Sequence, residues 1–434
     1  MSVSKPDILV IGGGPAGSTF GNLAVQQGWD VALLEKDEHP RFHIGESLLP
    51  MTMPIVERLG LWQDLERIGV RKNGADFTTF RRGAYHHTYP FSRALGDSPD
   101  HAFQVRRSEF DEMLYEKCRD VGVDVRDRNT VTKVEELGGG KHRVTSVDAN
   151  GVESVWEPKF LVDASGRDTF LSGANGWKQR NPQHASAAVF GHFRGVRRRA
   201  DENEGDISIY WFEHGWVWMI PLRDDVMSVG AVCDPDYIKS RRESLDEFLL
   251  KTVNRMVGTR SRMRDAVQDR PAQATGNYSY LSSRMMGPGY LMIGDAFAFI
   301  DPVFSSGVHL AMSSAARGIA VAGAWLEGDA RKYRKACRDY EQETKRGIDT
   351  FAWFIYRFRS PTMSWLFSNP RNPLRLVEGV VSMLAGDVFT NRSVRRRLLV
   401  FKAVYAIASV LLRARVISES SGSRPRSTRN MREA

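Results

Sequence analysis

Residues 7–17, Asp-Ile-Leu-Val-Ile-Gly-Gly-Gly-Pro-Ala-Gly, join a short apolar run to a glycine-rich turn. The apolar run predicts a buried parallel strand, and the turn opens a predicted helix. Gly12, Gly14 and Gly17 form a Gly-x-Gly-x-x-Gly pattern at this junction. The first glycine permits a tight turn, the second lets a pyrophosphate approach the backbone, and the third lets the helix pack on the strand. The stretch therefore predicts a dinucleotide site.

Residues 31–35 predict the next parallel strand, which ends in an acidic side chain. Glu35 follows Gly17 by 18 residues, a position from which a carboxylate accepts hydrogen bonds from ribose hydroxyls. The free N–H groups at the helix start, which includes Ala16, favour the negative charge of phosphates. The predicted nucleotide contacts are therefore Gly12, Gly14, Ala16, Gly17 and Glu35.

The composition is that of a soluble globular protein with two or three structural units. Of its 434 residues, 42% are hydrophobic, 26% charged and 10% aromatic, which excludes a disordered chain, a collagen and a multi-span membrane protein. The three cysteines are far apart in the sequence, so we expect neither a disulfide scaffold nor a metal site. No charged-then-apolar leader opens the chain, and we expect a cytoplasmic protein.

Motifs far downstream of the glycine turn resemble those of FAD-dependent monooxygenases with the glutathione-reductase-like fold. They are Gly-Asp-Ala at 294–296, Asp-Pro at 301–302 and Val-Asp-Ala-Ser-Gly-Arg at 162–167. The resemblance implies FAD as the cofactor, with Asp295 on the ribityl chain and Arg107 and Pro302 beside the flavin. Only one Gly-x-Gly-x-x-Gly precedes a predicted helix. We therefore expect no NADPH domain, and a separate flavin reductase as the source of reduced FAD.

The order of elements predicts an α/β protein: a glutathione-reductase-like FAD-binding fold with a second, antiparallel-sheet substrate domain and a helical C-terminal region. One helix is predicted over 52–69, a helix and then a strand over 106–125, antiparallel strands over 130–162, a second sheet over 184–233, and helices from about residue 330 onward. The FAD-binding domain is predicted over 1–75, 100–170 and 271–325, and the substrate domain over 76–99 and 171–270. A helical region over 326–417 and a disordered tail over 418–434 complete the chain.

Further segments resemble those of flavin-dependent halogenases. They are Pro-Arg-Phe-His-Ile-Gly-Glu-Ser-Leu-Leu-Pro at 40–50, Arg-Lys-Asn-Gly-Ala-Asp-Phe at 71–77, Gly-Trp-Val-Trp-Met-Ile-Pro at 215–221, Asp-Pro-Val-Phe-Ser-Ser-Gly-Val-His at 301–309 and Leu-Ala-Gly-Asp-Val-Phe at 384–389. The third segment matches the Trp-x-Trp-x-Ile-Pro signature of the family. The resemblance runs from residue 5 to about residue 390. It implies that the first segment faces the flavin, with Arg41 and Ser47 as cofactor contacts.

The halogenase resemblance implies a chemical role for each segment. The resembling enzymes use reduced FAD and oxygen to turn chloride or bromide into hypohalous acid, which is unselective and must be captured near the substrate. Ser306 and Gly307, at a helix start, are the expected halide-binding residues. Lys72 is the expected catalytic residue, either as a desolvated amine that forms a haloamine or as an ammonium that hydrogen-bonds the oxidant. The residues expected to separate flavin from substrate are Trp216, Trp218, Ile220 and Pro221.

Each of these features also has a purely structural explanation. Lysines are usually solvated, and two tryptophans that alternate on a strand would share one face and could simply form core. The Ser306 region could act only as a helix cap. Further polar residues near the predicted site are His43, Glu46 and His309. The alternative functions are an FAD-dependent monooxygenase or geranylgeranyl-reductase-like enzyme, and a non-catalytic flavin-binding protein at a membrane.

Phe304 marks a departure from the halogenases that act on tryptophan. Those enzymes carry a glutamate just before the Ser-x-Gly of this loop, where it stabilises the positive intermediate of indole attack. Phenols and pyrroles are electron-rich enough to react without it. The resemblance therefore implies a phenolic or pyrrolic substrate, free or held on a carrier protein, and disfavours free tryptophan.

The basic character of the chain is confined to its C-terminus. Eleven Lys or Arg residues and two Glu residues follow position 391, and their difference equals the whole net charge of +9. Residues 398–412 are apolar apart from Lys402, but too short to predict a membrane span. Three interpretations stay open: a helix packed on the body, an amphipathic helix on an anionic membrane surface, and a helix docked on an acidic carrier protein. Nucleic acid is not expected, because no aromatic residues are interleaved with these charges.

Overall fold

The computed structural model describes residues 3–79 and 85–421. In these ranges the strands are, in chain order, β1 (Val3–Ser4), β2 (Ile8–Ile11), β3 (Val31–Leu34), β4 (Val70–Lys72), β5 (Gly74–Thr79), β6 (Tyr85–Pro90), β7 (Ala102–Gln104), β8 (Asp124–Arg126), β9 (Thr130–Gly138), β10 (Lys141–Val147), β11 (Glu153–Trp156), β12 (Phe160–Asp163), β13 (Lys178–Arg194), β14 (Ile207–Phe212), β15 (Gly215–Pro221), β16 (Val226–Cys233), β17 (Val267–Gln268), β18 (Gln273–Ser282), β19 (Met286–Gly287), β20 (Tyr290–Met292) and β21 (Ala298–Phe299). The α-helices are α1 (Pro15–Val25), α2 (Met53–Arg58), α3 (Trp62–Ile68), α4 (Arg107–Asp120), α5 (Phe170–Ala174), α6 (Pro235–Lys239), α7 (Leu245–Val253), α8 (Val257–Arg262), α9 (Ser306–Leu326), α10 (Ala330–Ile355), α11 (Pro361–Ser368), α12 (Leu376–Leu384) and α13 (Arg392–Ser421).

A six-stranded sheet carries the glycine turn. Its order is β19-β20-β12-β2-β3-β8, in which all neighbours are parallel except β19 and β20. Strands β2, β3 and β12 are wholly buried, as expected of parallel strands covered on both faces. Helix α1 contacts both α4 and α9. The turn between β2 and α1 therefore lies at the carboxyl edge of this sheet, where nucleotides bind in such folds.

A larger, mainly antiparallel sheet forms the second layer. Its order is β21-β18-β13-β16-β15-β14-β5-β6, and β17 pairs with β13. The strand β15 is buried on both faces. Trp216 and Trp218 pack into the core shared with helices α10 to α13, whereas Val217 and Met219 pack with α6, α7 and the residues that flank α8. Successive side chains of β15 therefore pack into two different cores on the two faces of the sheet. The predicted α/β fold class, with a second sheet and C-terminal helices, is confirmed.

Local corrections apply to three predicted elements. The predicted helix over 52–69 is two helices, α2 and α3, because Gly60 adopts a left-handed conformation with φ of 71° between them. The strand expected from residue 121 begins at Asp124, since Gly122 (φ 94°) forms the turn after α4. The segment predicted as antiparallel over 130–162 ends in β12, which joins the parallel sheet instead.

The division into domains stays a prediction. Two elements cross or disagree with its predicted boundaries. Strand β18 lies in the range predicted for the FAD-binding domain, but it pairs with β13 of the larger sheet. Helix α13 continues to Ser421, past the predicted boundary at residue 417, and residues 422–434 of the predicted tail lie outside the described residues. Among the helices that the structure describes, none has both the length and the apolar character needed to cross a bilayer.

Candidate active site

The glycine turn is packed tightly at two positions and open at a third. Gly12 has φ of 100°, and a Cβ there would collide with the carbonyl of Ala164. A Cβ on Gly17 would overlap the carbonyl oxygen of Gly12. A Cβ on Gly14, in contrast, would meet only the Arg41 guanidinium at 3.7 Å. The first and third glycines therefore bring helix and strand together, while the second leaves the approach to the helix N-terminus free.

Charged groups flank this turn. Glu35 is buried and accepts hydrogen bonds from the N–H groups of Gly13 (2.6 Å) and Asp37 (2.9 Å). Arg41 Nη2 lies 3.4 Å from a Glu35 oxygen, and its buried Nε has no hydrogen-bond partner among the described residues. Ala16 packs at the start of α1, where a Cβ on Gly294 would lie 3.2 Å from its methyl group. The two nucleotide motifs predicted from the sequence are thus brought into contact.

A carboxylate of the second motif, Asp295, and a guanidinium of α4, Arg107, are partly buried and close enough for their charges to interact. Arg107 is paired with Asp111 through two hydrogen bonds of 2.7 and 2.8 Å and also donates to the carbonyl of Ile44 at 2.9 Å. Burial raises the pKa of Asp295 to about 6, although the positive charges of Arg167 and Arg107 oppose this shift. The open glycine, the guanidinium groups and the buried carboxylate are donors and acceptors of the kind that the pyrophosphate and ribityl chain of FAD require. The residues present therefore fit this cofactor.

The loop predicted to bind halide (residues 301–307, here the halide loop) ends at the N-terminus of a helix. Pro302–Phe304 form a single turn, and the Asp301 carboxylate accepts from the N–H of Val303 at 3.2 Å. Ser305 is left-handed (φ 57°), and α9 begins at Ser306. The first N–H groups of a helix have no acceptor within it, and they carry the positive end of its dipole. Ser306 and Gly307 are therefore adjacent at a site suited to an anion. The buried Ser306 Oγ also has no hydrogen-bond partner among the described residues.

Lys72 is buried at the end of β4, with a relative exposure of 1%. Its Nζ donates to Ser47 Oγ at 2.9 Å and to the carbonyl of Leu48 at 3.0 Å, and it lies 5.1 Å from the centre of the Phe91 ring. Desolvation lowers the pKa of Lys72 to about 7, against the opposing negative charge of Asp206. The side chain predicted to be catalytic is thus a buried amine anchored to the segment predicted to face the flavin.

Asp206 is a functional candidate that sequence reasoning missed. One carboxylate oxygen accepts from the N–H groups of Asn73 (2.8 Å) and Gly74 (2.6 Å), the two residues that follow Lys72. The other oxygen is buried and has no hydrogen-bond partner among the described residues. Burial and the nearby charge of Asp76 raise the pKa of Asp206 to about 6. This aspartate lies 134 residues away in the chain, and no local motif marks it.

The two signature tryptophans form an aromatic wall on β15. Their ring centres are 5.8 Å apart, and Trp218 Nε1 donates to Ser228 Oγ at 3.1 Å. Gly230, opposite Trp218, leaves room for the indole, because a Cβ there would overlap the ring. Ile220 packs in the same core, and Pro221 ends the strand. Both tryptophans are therefore buried in the core, which agrees with the purely structural explanation given above. Their neighbouring rings also form one continuous surface.

Aromatic contacts join this wall to the other segments. Phe190 lies 6.1 Å from Trp218 and 6.0 Å from Phe42 of the segment over 40–50. On the other side, the ring of Phe358 lies 6.2 Å from Trp216 and 5.3 Å from Phe304 of the halide loop. Phe91, which contacts Lys72, belongs to the same packed core as Trp216 and Phe304. One core therefore adjoins all five halogenase-like segments.

The three further polar candidates have different surroundings. His309 is buried between Thr52 Oγ1 (3.2 Å) and the carbonyl of Gly386 (3.0 Å), and burial lowers its pKa to about 3. Its ring joins α9 to neighbouring segments as a neutral group. Glu46 is buried and paired with His192 at 2.9 Å, whereas His43 is exposed. In the parts of the chain that the structure describes, no group of three or more His, Cys, Asp or Glu could hold a metal ion.

Comparison with known proteins decides the family. The model of the FAD binding domain family matches residues 5–348. A 1H-pyrrole-2-carbonyl-[peptidyl-carrier protein] brominase of Pseudoalteromonas luteoviolacea is 31% identical over 371 residues, which cover 82% of this chain and 89% of that protein. The chain belongs to the flavin-dependent halogenases. A tryptophan 2-halogenase of Chondromyces crocatus is 35% identical over 319 residues, which are 72% of this chain but only 60% of that relative.

The fold of the halogenase agrees with solved structures of the family. The structure of the flavin-dependent brominase Bmp2 superimposes with a TM-score of 0.81 at 27% identity, covering 92% of this chain and 99% of that one. FAD and a halide are therefore the cofactor and co-substrate of this halogenase. Because relatives named for tryptophan and for carrier-bound pyrrole both match, the predicted preference for phenols or pyrroles stays a prediction.

Proposed function

We propose that this halogenase acts on an electron-rich aromatic ring, phenolic or pyrrolic, through the amine of Lys72. The observation that carries the proposal is the burial of that amine between Ser47 and Phe91, with its pKa lowered to about 7. A lysine in water is an ammonium at neutral pH and has no free electron pair. A desolvated lysine offers a nucleophilic nitrogen under the same conditions.

The cofactor residues have separable roles in this proposal. Gly14 and the start of α1 would hold the pyrophosphate, and Asp295 would hold the ribityl chain. The remaining residues proposed to hold FAD are Gly12, Ala16, Gly17, Glu35, Arg41, Ser47, Arg107 and Pro302. When bound and reduced, FAD supplies hypohalous acid from oxygen and halide. The N–H groups of Ser306 and Gly307 would bind the halide at the positive end of the α9 dipole.

In this proposal the halogen passes through the nitrogen of Lys72 in two steps. The nitrogen electron pair attacks the halogen of hypohalous acid, and the leaving hydroxide takes one amine proton to form water. The aromatic ring then attacks the halogen of the haloamine, the N–halogen bond breaks, and the ring proton leaves with the regenerated amine as its acceptor. Ser47 Oγ and the Leu48 carbonyl accept the two hydrogens of the neutral amine, which leaves its electron pair for the oxidant.

The tryptophan wall would separate the formation of hypohalous acid at the flavin from the halogenation of the substrate. Trp216 and Trp218, with Ile220 and Pro221, form the buried surface that we propose to stand between flavin and substrate. An apolar partition excludes water, which would otherwise consume the oxidant. It also prevents direct oxygen transfer to the ring, so that halogenation rather than hydroxylation results.

The surroundings of Phe304 support the proposed substrate class. Its ring is buried against Phe354, Phe358 and Phe367, so no carboxylate stands here to stabilise a cationic indole intermediate. Phenolate and pyrrole rings supply that stabilisation from their own electrons. The carrier-bound pyrrole in the name of the Pseudoalteromonas relative supports a tethered form of such a substrate. A separate flavin reductase is proposed to supply reduced FAD, because only one Gly-x-Gly-x-x-Gly turn opens a helix.

Product analysis tests the proposal. The protein is incubated with FAD, a flavin reductase, and chloride or bromide, and is offered a phenol, a pyrrole and tryptophan, each free and each as a pantetheine thioester on a carrier protein. Mass spectrometry should find monohalogenated phenol or pyrrole. Hydroxylated product would instead indicate a monooxygenase. Halogenation of tryptophan alone would contradict the substrate class, and no turnover on any substrate would contradict the catalytic assignment.

A further inference from the structure

Helix α13 is apolar on two opposite faces. Its inner face includes the buried Val394, Leu398 and Phe401, and the Phe401 ring stacks on Phe354 at 5.3 Å. This confirms that the helix packs on the body, which was one of the three interpretations. Its outer face carries large aliphatic side chains, Leu399, Ile407, Val410 and Leu411, with relative exposures from 56% to 67%.

The outer side chains form one continuous stripe. Positions 399, 403, 407, 410 and 411 recur at the spacing of one helix face, and Ala403 is exposed between the larger residues. Charged residues are absent from the stripe between Leu399 and Leu411, apart from Lys402, which turns toward the Trp353 ring at 5.1 Å. A contiguous exposed stripe of aliphatic side chains on a folded protein usually marks an interaction surface. A partner is therefore needed for this face.

The helix that packs beside α13 carries an exposed tryptophan. Ser409 Oγ lies 3.2 Å from Thr362 Oγ1 in the first turn of α11, which fixes that helix beside α13. Trp365, one turn further along α11, is 44% exposed. Tryptophan is enriched where proteins meet the headgroup region of a bilayer, so an exposed tryptophan on the helix next to α13 is compatible with a lipid partner.

The charge of the segment indicates the sign of the partner. Arg392, Arg395 and Arg396 are exposed in the first turns of α13, and the sequence from residue 392 onward carries the entire net charge of +9. An anionic surface is the complement of such a segment, because basic residues near an anionic membrane surface are attracted to it. We propose that the outer face of α13 lies on an anionic lipid surface, with its aliphatic stripe in the headgroup boundary and its arginines on the phosphates.

Vesicle sedimentation with the full-length, FAD-loaded protein tests this proposal. The lipids are phosphatidylcholine alone and phosphatidylcholine mixed with phosphatidylglycerol. The protein should sediment with the anionic vesicles only, and high salt should weaken that binding. The double variant Ile407→Asp/Val410→Asp should lower the bound fraction by about tenfold or more, because two charges would enter the lipid boundary. Val257→Asp, at a side chain 71% exposed on α8, is the matched control and should bind like the wild type.

Other occupants of the stripe give distinct results. Loss of binding in the double variant supports the proposal only with an unchanged melting temperature and unchanged halogenation of a soluble substrate, which exclude misfolding. Equal sedimentation with and without vesicles would overturn it. So would a dimer in analytical ultracentrifugation that Ile407→Asp abolishes, or a loss in the double variant confined to carrier-bound substrates. Sedimentation and ultracentrifugation do not depend on the proposed substrate, so a failure of lipid binding in them leaves the proposed function standing.

Discussion

The Nζ of Lys72 lies 2.9 Å from Oγ of Ser47. This contact joins the amine to a segment that also contains Arg41, beside the glycine turn, and Phe42, which stacks on Phe190 next to Trp218. The same nitrogen also donates a hydrogen bond to the backbone carbonyl of Leu48, the residue after Ser47. A hydroxyl and a backbone carbonyl of one segment therefore fix the amine relative to the residues proposed to hold FAD.

Replacing Lys72 should separate halogenation from flavin binding. In Lys72→Arg the side chain keeps a positive charge that cannot be lost near neutral pH, so no nucleophilic nitrogen is available. We expect halogenated product to fall by on the order of 100- to 10,000-fold, with the flavin absorbance of the purified protein unchanged. Lys72→Met, which removes the nitrogen at similar volume, should behave in the same way. Product formation by Lys72→Arg at the wild-type rate would show that a charged group suffices.

Burial of Lys72 should make the protein less stable as the pH falls. Its pKa is about 7 in the folded protein and near 10.5 in the unfolded chain, so folding releases a proton between these values. The free energy of unfolding that is lost by burying this amine is largest below about pH 7, and the loss disappears above about pH 10.5. Lys72→Met removes this cost, so its melting temperature relative to the wild type should be higher at about pH 6.5 than at about pH 9.5, by on the order of 2 to 5 °C. Lys239→Met, at an exposed lysine, is the control, and an equal change in both variants would contradict burial of the amine.

Asp206 should set the pH range of the reaction. Its negative charge favours the ammonium form of Lys72, whereas Asn at this position would keep an oxygen for the N–H groups of Asn73 and Gly74. In Asp206→Asn we expect the acid limb of the rate profile to move to lower pH by about half a unit to one unit. Glu204→Gln, at an exposed carboxylate nearby in the chain, should leave the profile unchanged. A simple loss of rate at every pH would indicate a purely structural role for Asp206.

Gly14, which directly precedes α1, and Gly21 within α1 should respond differently to the same methyl group. A Cβ on Gly14 has room within the protein but projects toward Arg41, where the pyrophosphate is proposed to lie. Gly14→Ala should therefore weaken FAD binding by about tenfold or more, while the apoprotein melts as the wild type does. Gly21→Ala is the matched control, since its Cβ would make only ordinary contacts of 3.6 to 3.7 Å. Full flavin loading of Gly14→Ala would contradict the pyrophosphate assignment.

The parts predicted correctly from the sequence are those coded by local patterns. The strand and helix around Gly12 and Gly17 follow from apolar runs and a turn that only glycine permits, and both appear as predicted. The alternation of Trp216 and Trp218 likewise predicts a shared face, which the structure confirms.

The parts that were missed depend on contacts between distant segments. The approach of Asp206 to the strand of Lys72 arises from strand pairing between β14 and β5, and neither stretch of sequence encodes its partner. Phe358 joins the halide loop to the aromatic wall only because α10 ends there. The break at Gly60 was missed for a different reason, since a single glycine inside an apolar pattern also occurs in continuous helices.

The most direct test of the account is the pH dependence of halogen transfer by the wild-type protein. Single-turnover halogenation is measured with excess FAD-loaded protein and a pyrrole that does not titrate between about pH 5.5 and about pH 9, and the Asp206→Asn variant is run beside it. If the neutral amine of Lys72 carries the halogen, the rate should rise tenfold per pH unit below an inflection near pH 7 and then level off. A rate that is flat across this range, or that falls as the pH rises through 7, would contradict transfer through a deprotonated amine.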